Sequence, residues 1–322
     1  MARIGYHASH EQFSPRDLLK FVQEAEKAGF AAAMSSDHLA PWSHSQGESG
    51  HMWSWVGAAL QATRFPVGFI TVPCGWRYHP VIVAQAAATL AEMFPDRVPW
   101  IAVGSGEALN ECSVAAEWPA KDQRNERLFA GVQIMRRLWR GERVSETWPI
   151  PVSDARLYTR ANQAPAVIAG VLSAETAEWA GSWADGLITV NQPADHLKGI
   201  VDAFRRGGGA GKPTFLQVHV SYAPTEDEAR AHAFDQWRAN AVSADQAANL
   251  RAPEDFETAT ANVRPGEMDK HVRISADPEQ HVAWLMEYAE LGFEEIYVHN
   301  VGRNQLEFIR MYGSRVLGRQ RG

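Results

Sequence analysis

Short apolar runs alternate with longer stretches of helical periodicity from one end of the chain to the other. The apolar runs fall at 4–8, 31–36 ("AAAMSS"), 67–72 ("VGFITV"), 100–106 ("WIAVGSG"), 166–170 ("AVIAG"), 185–190 ("DGLITV"), 213–222 ("PTFLQVHVSY") and 294–300 ("EEIYVHN"). Near-continuous hydrophobicity over so few residues predicts strands buried on both faces, as in a parallel sheet. Helical patterns stand between them. Ser14 and Pro15 are a cap and a first-turn proline, Leu18, Phe21, Val22 and Ala25 repeat at helical spacing, and Gly29 stops the helix. Further helices are predicted at 54–63, 80–94, 127–139, 173–181, 196–206, 226–240, 278–291 and 306–317. The 127–139 segment puts Leu128, Val132, Met135 and Trp139 on one stripe.

About eight strand–helix units in one series, on a chain of 322 residues, predict a (β/α)8 TIM barrel as a single α/β domain spanning 1–322. A doubly wound sheet is the alternative, but no G-x-G-x-x-G follows the first strand. Two stretches break the rhythm, 141–165 and 241–275. Both read as insertions over the C-terminal face of the barrel, the second as a lid.

Composition narrows the function. A net charge of −7, spread along the chain, argues against a nucleic-acid partner. No run of roughly 18 apolar residues suggests a membrane span. The N-terminal "MARIGYHASH" lacks signal-peptide anatomy, and Cys74 and Cys112 are the only cysteines; a reducing cytoplasm is the expected compartment.

In a barrel of this kind the active site lies where the strands end. The first strand delivers His7, His10 and Glu11, the second Asp37, His38 and then Trp42, the fourth Glu107, Asn110 and Glu111. The third ends in "TVPCGWRYHP", the fifth in "AGVLSAET", the sixth in "TVNQ" with Thr189, and the last in "VHN". Each has a plainer reading. His38 suits a core histidine bonded to Asp37, Glu107 a helix cap, Trp42 simple packing, Glu11 a partner for Arg16, and Arg77 a partner for a carboxylate. His7 and His10 are not at metal-ligand spacing. Ionisable groups on successive strand ends are what favours a site, because burying them unpaired costs several kcal/mol, of order 3–5 each.

The stretches "GYHASHEQFSP", "SDHLAPW", "RYHP", "GSGEALNE", "IMRRLW", "WADGLITV" and "GFEEIYVHNVG" resemble, in order and over nearly the whole chain, the luciferase-like flavin-dependent oxidoreductases, and among them the branch with the coenzyme F420-dependent glucose-6-phosphate dehydrogenases. The resemblance implies a TIM barrel binding FMN or F420. It places the catalytic set on His38, Trp42, Glu107 and Glu11. It places ring contacts on Asp37, Asn110 and a bulged strand end at Ile70, Thr71 and Val72, where a non-proline cis peptide is common in the family. The cofactor phosphate falls at Gly170, Leu172 and Ser173, beside Thr189. His38, oriented by Asp37 or Glu11, has a suitable pKa for the base that takes a carbinol proton.

Two departures shape the expectation. Gln192 stands where the sugar-phosphate enzymes carry a lysine, with no second basic phosphate ligand evident in 241–275, and "VLSA" replaces the usual Gly-Gly-Pro turn. They favour FMN, with F420 the alternative, and a small alcohol, hemiacetal or aldehyde over a sugar 6-phosphate. The rivals are a reduced-FMN monooxygenase, served by a flavin reductase, a metal-dependent hydrolase using His38, His44, His51 and Asp37, and a non-catalytic flavin-binding protein. The resemblance also implies a homodimer packed through the second and third units, with the apolar 81–90 stripe as a candidate face.

Overall fold

A computed structural model of the chain describes residues 2–115 and 117–318. Eight parallel strands close into a barrel: β1 (Arg3–Ala8), β2 (Ala32–Ser36), β3 (Val67–Thr71), β4 (Trp100–Val103), β5 (Ala166–Gly170), β6 (Gly186–Val190), β7 (Thr214–Ser221) and β8 (Glu295–Asn300). Neighbours in sequence are neighbours in space until β7, which pairs with both β6 and β8; β8 then meets β1, with Gly5 opposite Tyr297. All eight coincide with the apolar runs.

The reason is burial on both faces. Leu187, Val218 and Val298 point outward into the core shared with the helices. Met34, Trp100, Ile168, Ile188, Phe215 and Tyr297 point inward and plug the barrel. The Trp100 ring lies 5.5 Å from Phe215 and 5.6 Å from Tyr297. Gly68 makes room for it, since a Cβ there would sit 2.2 Å from the indole.

The first helix, Pro15–Ala28, shows how the local signals act. The Ser14 hydroxyl accepts from the Asp17 amide, Leu18, Val22 and Ala25 are buried, and Gly29 ends the helix at φ 100°. Such a cap contributes about 1 kcal/mol and each buried aliphatic side chain about 1.5–3 kcal/mol. The helix Pro80–Met93 spends most of its apolar stripe on the barrel: Val83, Ala84, Ala87, Ala88 and Leu90 are buried, leaving Ile82 and Met93 exposed.

The two irregular stretches fold differently. A hairpin of Val144–Glu146 and Val152–Ala155 occupies the first. It runs beside the helix Lys121–Trp139, where Arg127 donates to the Pro149 carbonyl, and touches the start of Pro80–Met93 through His79 and the Pro151 carbonyl. The second holds the short helices Ala244–Ala247 and Pro253–Ala259, a 3-10 turn at Pro265–Lys270, and Arg273–Ile274 paired with the end of β7. It covers the barrel mouth: Phe256 packs against Trp42 and Leu109, and the Ala248 carbonyl accepts from the Ala108 amide and the Trp118 indole, each at 3.1 Å.

Candidate active site

The end of β1 and the segment after β2 meet at an ion pair. Glu11 Oε1 lies 2.7 Å from His38 Nδ1. The ring N–H is off the line to the oxygen, so the contact is a close charge pair rather than an aligned hydrogen bond. Ser9 donates to the other Glu11 oxygen at 2.6 Å. Burial disfavours the Glu11 anion, but the His38 charge and the Ser9 hydroxyl outweigh it and hold the carboxyl well below the usual range. Burial also opposes charge on His38, and Glu11, with help from Glu107, reverses this and raises its pKa above 6.5. With Nδ1 turned to Glu11, Nε2 is the nitrogen left for another partner.

Of the two carboxylates expected to orient His38, Asp37 is engaged by other groups. Its carboxylate accepts from Thr71 at 3.0 Å, and from Arg77 and Tyr78 at 3.3 Å each. Arg77 also donates to the Asp37 carbonyl at 2.8 Å and to Glu111 Oε1 at 3.0 Å. Asp37–Arg77–Glu111 is thus a buried charge triad tying β2, the β3 loop and the turn after β4. Asp37 does not orient His38; Glu11 does. Glu11 is in turn not the partner of Arg16.

Glu107 stands before the short helix Ala108–Glu111, but its side chain makes no capping bond. Among the described residues its side chain accepts one long hydrogen bond, 3.4 Å, from Asn110. Burial, and the nearby Glu11 and Glu111 charges, raise its pKa, although His38 pulls the other way. Asn110 Oδ1 accepts from the Leu39 and Ala40 amides at 2.8 and 3.4 Å, which fixes the approach to Trp42. The Trp42 ring meets His38 edge-on at 5.2 Å and Phe256 at 5.1 Å. Its amide donates to Gln46.

The expected bulge with a cis peptide is not found. Ile70 and Thr71 pair in unbroken register with Ala102 and Val103, and among the described residues the cis bond is Trp148–Pro149. Thr71 donates to the Asp37 carboxylate, and Val72 follows beside Gly106.

The opposite rim is bare. A Cβ on Gly104 would meet no atom within 4 Å, and one on Gly170 would meet only the Val103 carbonyl at 3.6 Å. Leu172 is exposed. Ser173 caps the helix Ala174–Gly181 by accepting from the Thr176 amide. Thr189 lies on the helix-facing side of β6, buried, its hydroxyl without a partner among the described residues. Two glycines at the rim and the helix start at Ser173 leave room for a flat ring with an anionic tail.

Inside the mouth lies a group that sequence reasoning did not assemble. His7, His219 and His299 come from β1, β7 and β8, with ring centroids 4.5 and 5.5 Å apart, and Trp237 packs 4.7 Å from the last two. Burial lowers His7 to about 4 and His219 to about 3, so the layer is uncharged near neutrality. The signal was present in "VHV" and "VHN", histidines at inward positions of strand ends. The hydrolase set does not gather: His44 binds Glu254 and Glu257 on the lid, and His51 bonds Ser54.

The luciferase-like monooxygenase family matches residues 1–295. An F420-dependent glucose-6-phosphate dehydrogenase of Microbacterium testaceum is 35% identical over 99% of this chain and 97% of its own. One of Beutenbergia cavernae is 32% identical over 100% and 98%. Among solved structures, an F420-dependent secondary alcohol dehydrogenase in complex with an F420-acetone adduct superposes with a TM-score of 0.91 at 29% identity, covering 98% of both chains. These relatives are named for F420, so the expectation of FMN as the cofactor finds no support among them. No helix among the described residues is long and apolar enough to cross a membrane. The chain is an enzyme of the luciferase-like monooxygenase family, similar over its whole length to F420-dependent oxidoreductases within it.

Proposed function

We propose that this enzyme is an F420-dependent dehydrogenase that oxidises a small alcohol or hemiacetal, or reduces the matching carbonyl, without needing a 6-phosphate. The observation that carries this reading is the Glu11–His38 pair, 2.7 Å apart, under Trp42 and near a raised Glu107. The deazaflavin, when bound, accepts a hydride together with a proton. His38 Nε2 takes the hydroxyl proton, and Glu11 stabilises the imidazolium that results. Glu107, its pKa raised by burial, is the candidate to give a proton. Trp42 and Phe256 keep water away. Gly104, Gly170, Ser173 and Thr189 would seat the ring and its phosphate, with Asn110 and the Ile70–Val72 strand end at its edge.

Gln192 supports the substrate class. It is an uncharged side chain donating to the Leu172 carbonyl at 3.4 Å, and offers no counter-ion for a phosphate ester. We place the enzyme in the cytoplasm as a homodimer, its second copy covering Ile82 and Met93, which are 54% and 57% exposed.

The test is an anaerobic assay with F420. A simple secondary alcohol bleaching the visible deazaflavin band, and glucose 6-phosphate doing so no better than glucose, is the expected outcome. Strong preference for the 6-phosphate would replace the substrate class. Oxygen uptake with reduced FMN instead would replace the reaction with that of a monooxygenase.

A further inference from the structure

The helix Pro253–Ala259 is the part of the lid that lies over Trp42, and it is lightly held. Its one buried side chain is Phe256, in a cluster apart from the main core. Among the described residues, its side-chain polar contacts with the body of the protein fall on His44. Glu254 Oε1 lies 3.2 Å from His44 Nε2, and Glu257 Oε2 lies 3.1 Å from His44 Nδ1. Glu257 Oε1 also accepts from the His44 amide at 2.9 Å. Residues three apart on a helix are surface neighbours, so one imidazole, two positions after Trp42, meets both carboxylates.

The segment that carries His44 is fixed to the barrel. The Trp42 amide donates to Gln46 at 2.8 Å, the Ser45 hydroxyl to the Asp235 carbonyl at 2.7 Å and the Gln46 side chain to the Gln236 carbonyl at 2.9 Å. Arg303 donates to the Ser45 and Gln46 carbonyls at 2.8 Å each. Holding two carboxylates takes two ring N–H groups, and only the imidazolium has both. Glu257, and then Glu254, raise the His44 pKa above 6.5. The other charged groups at the junction are Arg238, which acts on Glu257, Asp235, whose carboxylate accepts from Gln236, and Arg303. His38, across the Trp42 ring, is a second imidazole coupled to the lid.

We infer that His44 is the clasp that holds the lid on Trp42, fastened while its ring carries two protons and loosened when it loses one. It is a positioning residue, acting through Phe256 and Trp42 on the cover over His38. The inference concerns the lid and does not depend on which substrate is turned over.

The test is hydrogen–deuterium exchange of the full chain across residues 250–259, read as protection after correction for the pH dependence of intrinsic exchange. Between about pH 6 and about pH 9, wild-type protection there should fall about fivefold, the scale set by exposed charge pairs, while the barrel strands keep theirs. His44→Gln should be low and flat over the same range. His44→Lys, whose charge persists to higher pH and whose ammonium has three donors, should be high and flat, a rescue that a purely structural contact would not show. Wild-type protection that does not change with pH overturns the clasp. So does a fall that persists in His44→Gln, which would belong to His38, or a His44→Lys lid as loose as that of His44→Gln. A nitrogen-15 NMR titration gives the second reading: the His44 ring should titrate above 6.5, and Glu257→Gln should lower its midpoint. A midpoint that Glu257→Gln leaves in place contradicts the inference.

Discussion

At the scale of single residues, the site depends on which carboxylate reaches His38. Two were in competition, one adjacent in sequence and one 27 positions away. Arg77 decides between them by engaging Asp37, so Glu11 is free to hold the imidazole. The consequence for pH follows from the shifts. In the proposed reaction His38 must be neutral to take the alcohol proton, and its pKa is raised above 6.5, so kcat/KM should rise with pH through its folded value. Glu11→Gln removes the anion. A pH–rate profile should then show the limb moved to lower pH, with kcat reduced by roughly 10²–10⁴ as for the loss of a general base's support. The same pair is linked to stability. Glu11, depressed, contributes above its unfolded value of 4.5 and loses this as pH falls through its folded value; His38, raised, contributes fully below 6.5 and loses this as pH rises through its folded value. Wild type minus Glu11→Gln stability should therefore peak between those two values in denaturant titrations. Arg77 gives a second prediction. Arg77→Met leaves Asp37 and Glu111 buried together without their cation, which should cost about 3–5 kcal/mol. The deficit should shrink as pH falls, because protonation removes the unpaired charge; a pH-independent deficit would argue for lost packing instead.

At the scale of elements, the strands and the lid were unequally legible. All eight strands were readable because a strand buried on both faces leaves a continuous apolar run. Helix ends were less so. The helix after β4 begins at Lys121, six residues before the expected 127, because its first turn is polar and capped by no side chain. The four-residue helix Ala108–Glu111 gave no periodic signal at all. The lid was recognised only as a stretch that did not fit, since its short helices bury single residues such as Phe256 rather than a stripe. The catalytic candidates were legible as cargo on strand ends, but their pairing was not, because pairing is a matter of rotamers and of Arg77. The lid carries its own prediction. Phe256 belongs to a small cluster with Trp42, Leu109 and Ala239, separate from the main core. Phe256→Ala should cost about 3–5 kcal/mol locally. Hydrogen exchange should then rise across residues 244–259 while the barrel strands stay protected, and KM should rise. Global unfolding of the variant would show that the lid is part of the core after all.

At the scale of the whole molecule, the barrel is asymmetric about its mouth. The β1, β2, β7 and β8 side is crowded with imidazoles, amides and the Glu11 carboxylate. The β4 and β5 strand ends themselves carry glycines, Gly104 and Gly170, with open space beside them. A ring seated on the bare side faces a built acid–base apparatus on the other, and the lid closes over both. Under the proposed function, this arrangement moves a hydride at the ring and a proton at its edge. The most direct test is an anaerobic, single-turnover mixing of enzyme, F420 and a secondary alcohol, following the deazaflavin absorbance in wild type and His38→Ala. The account predicts binding by both proteins and rapid bleaching by the wild type alone. Equal bleaching by His38→Ala, or no binding of F420 by either, would contradict it.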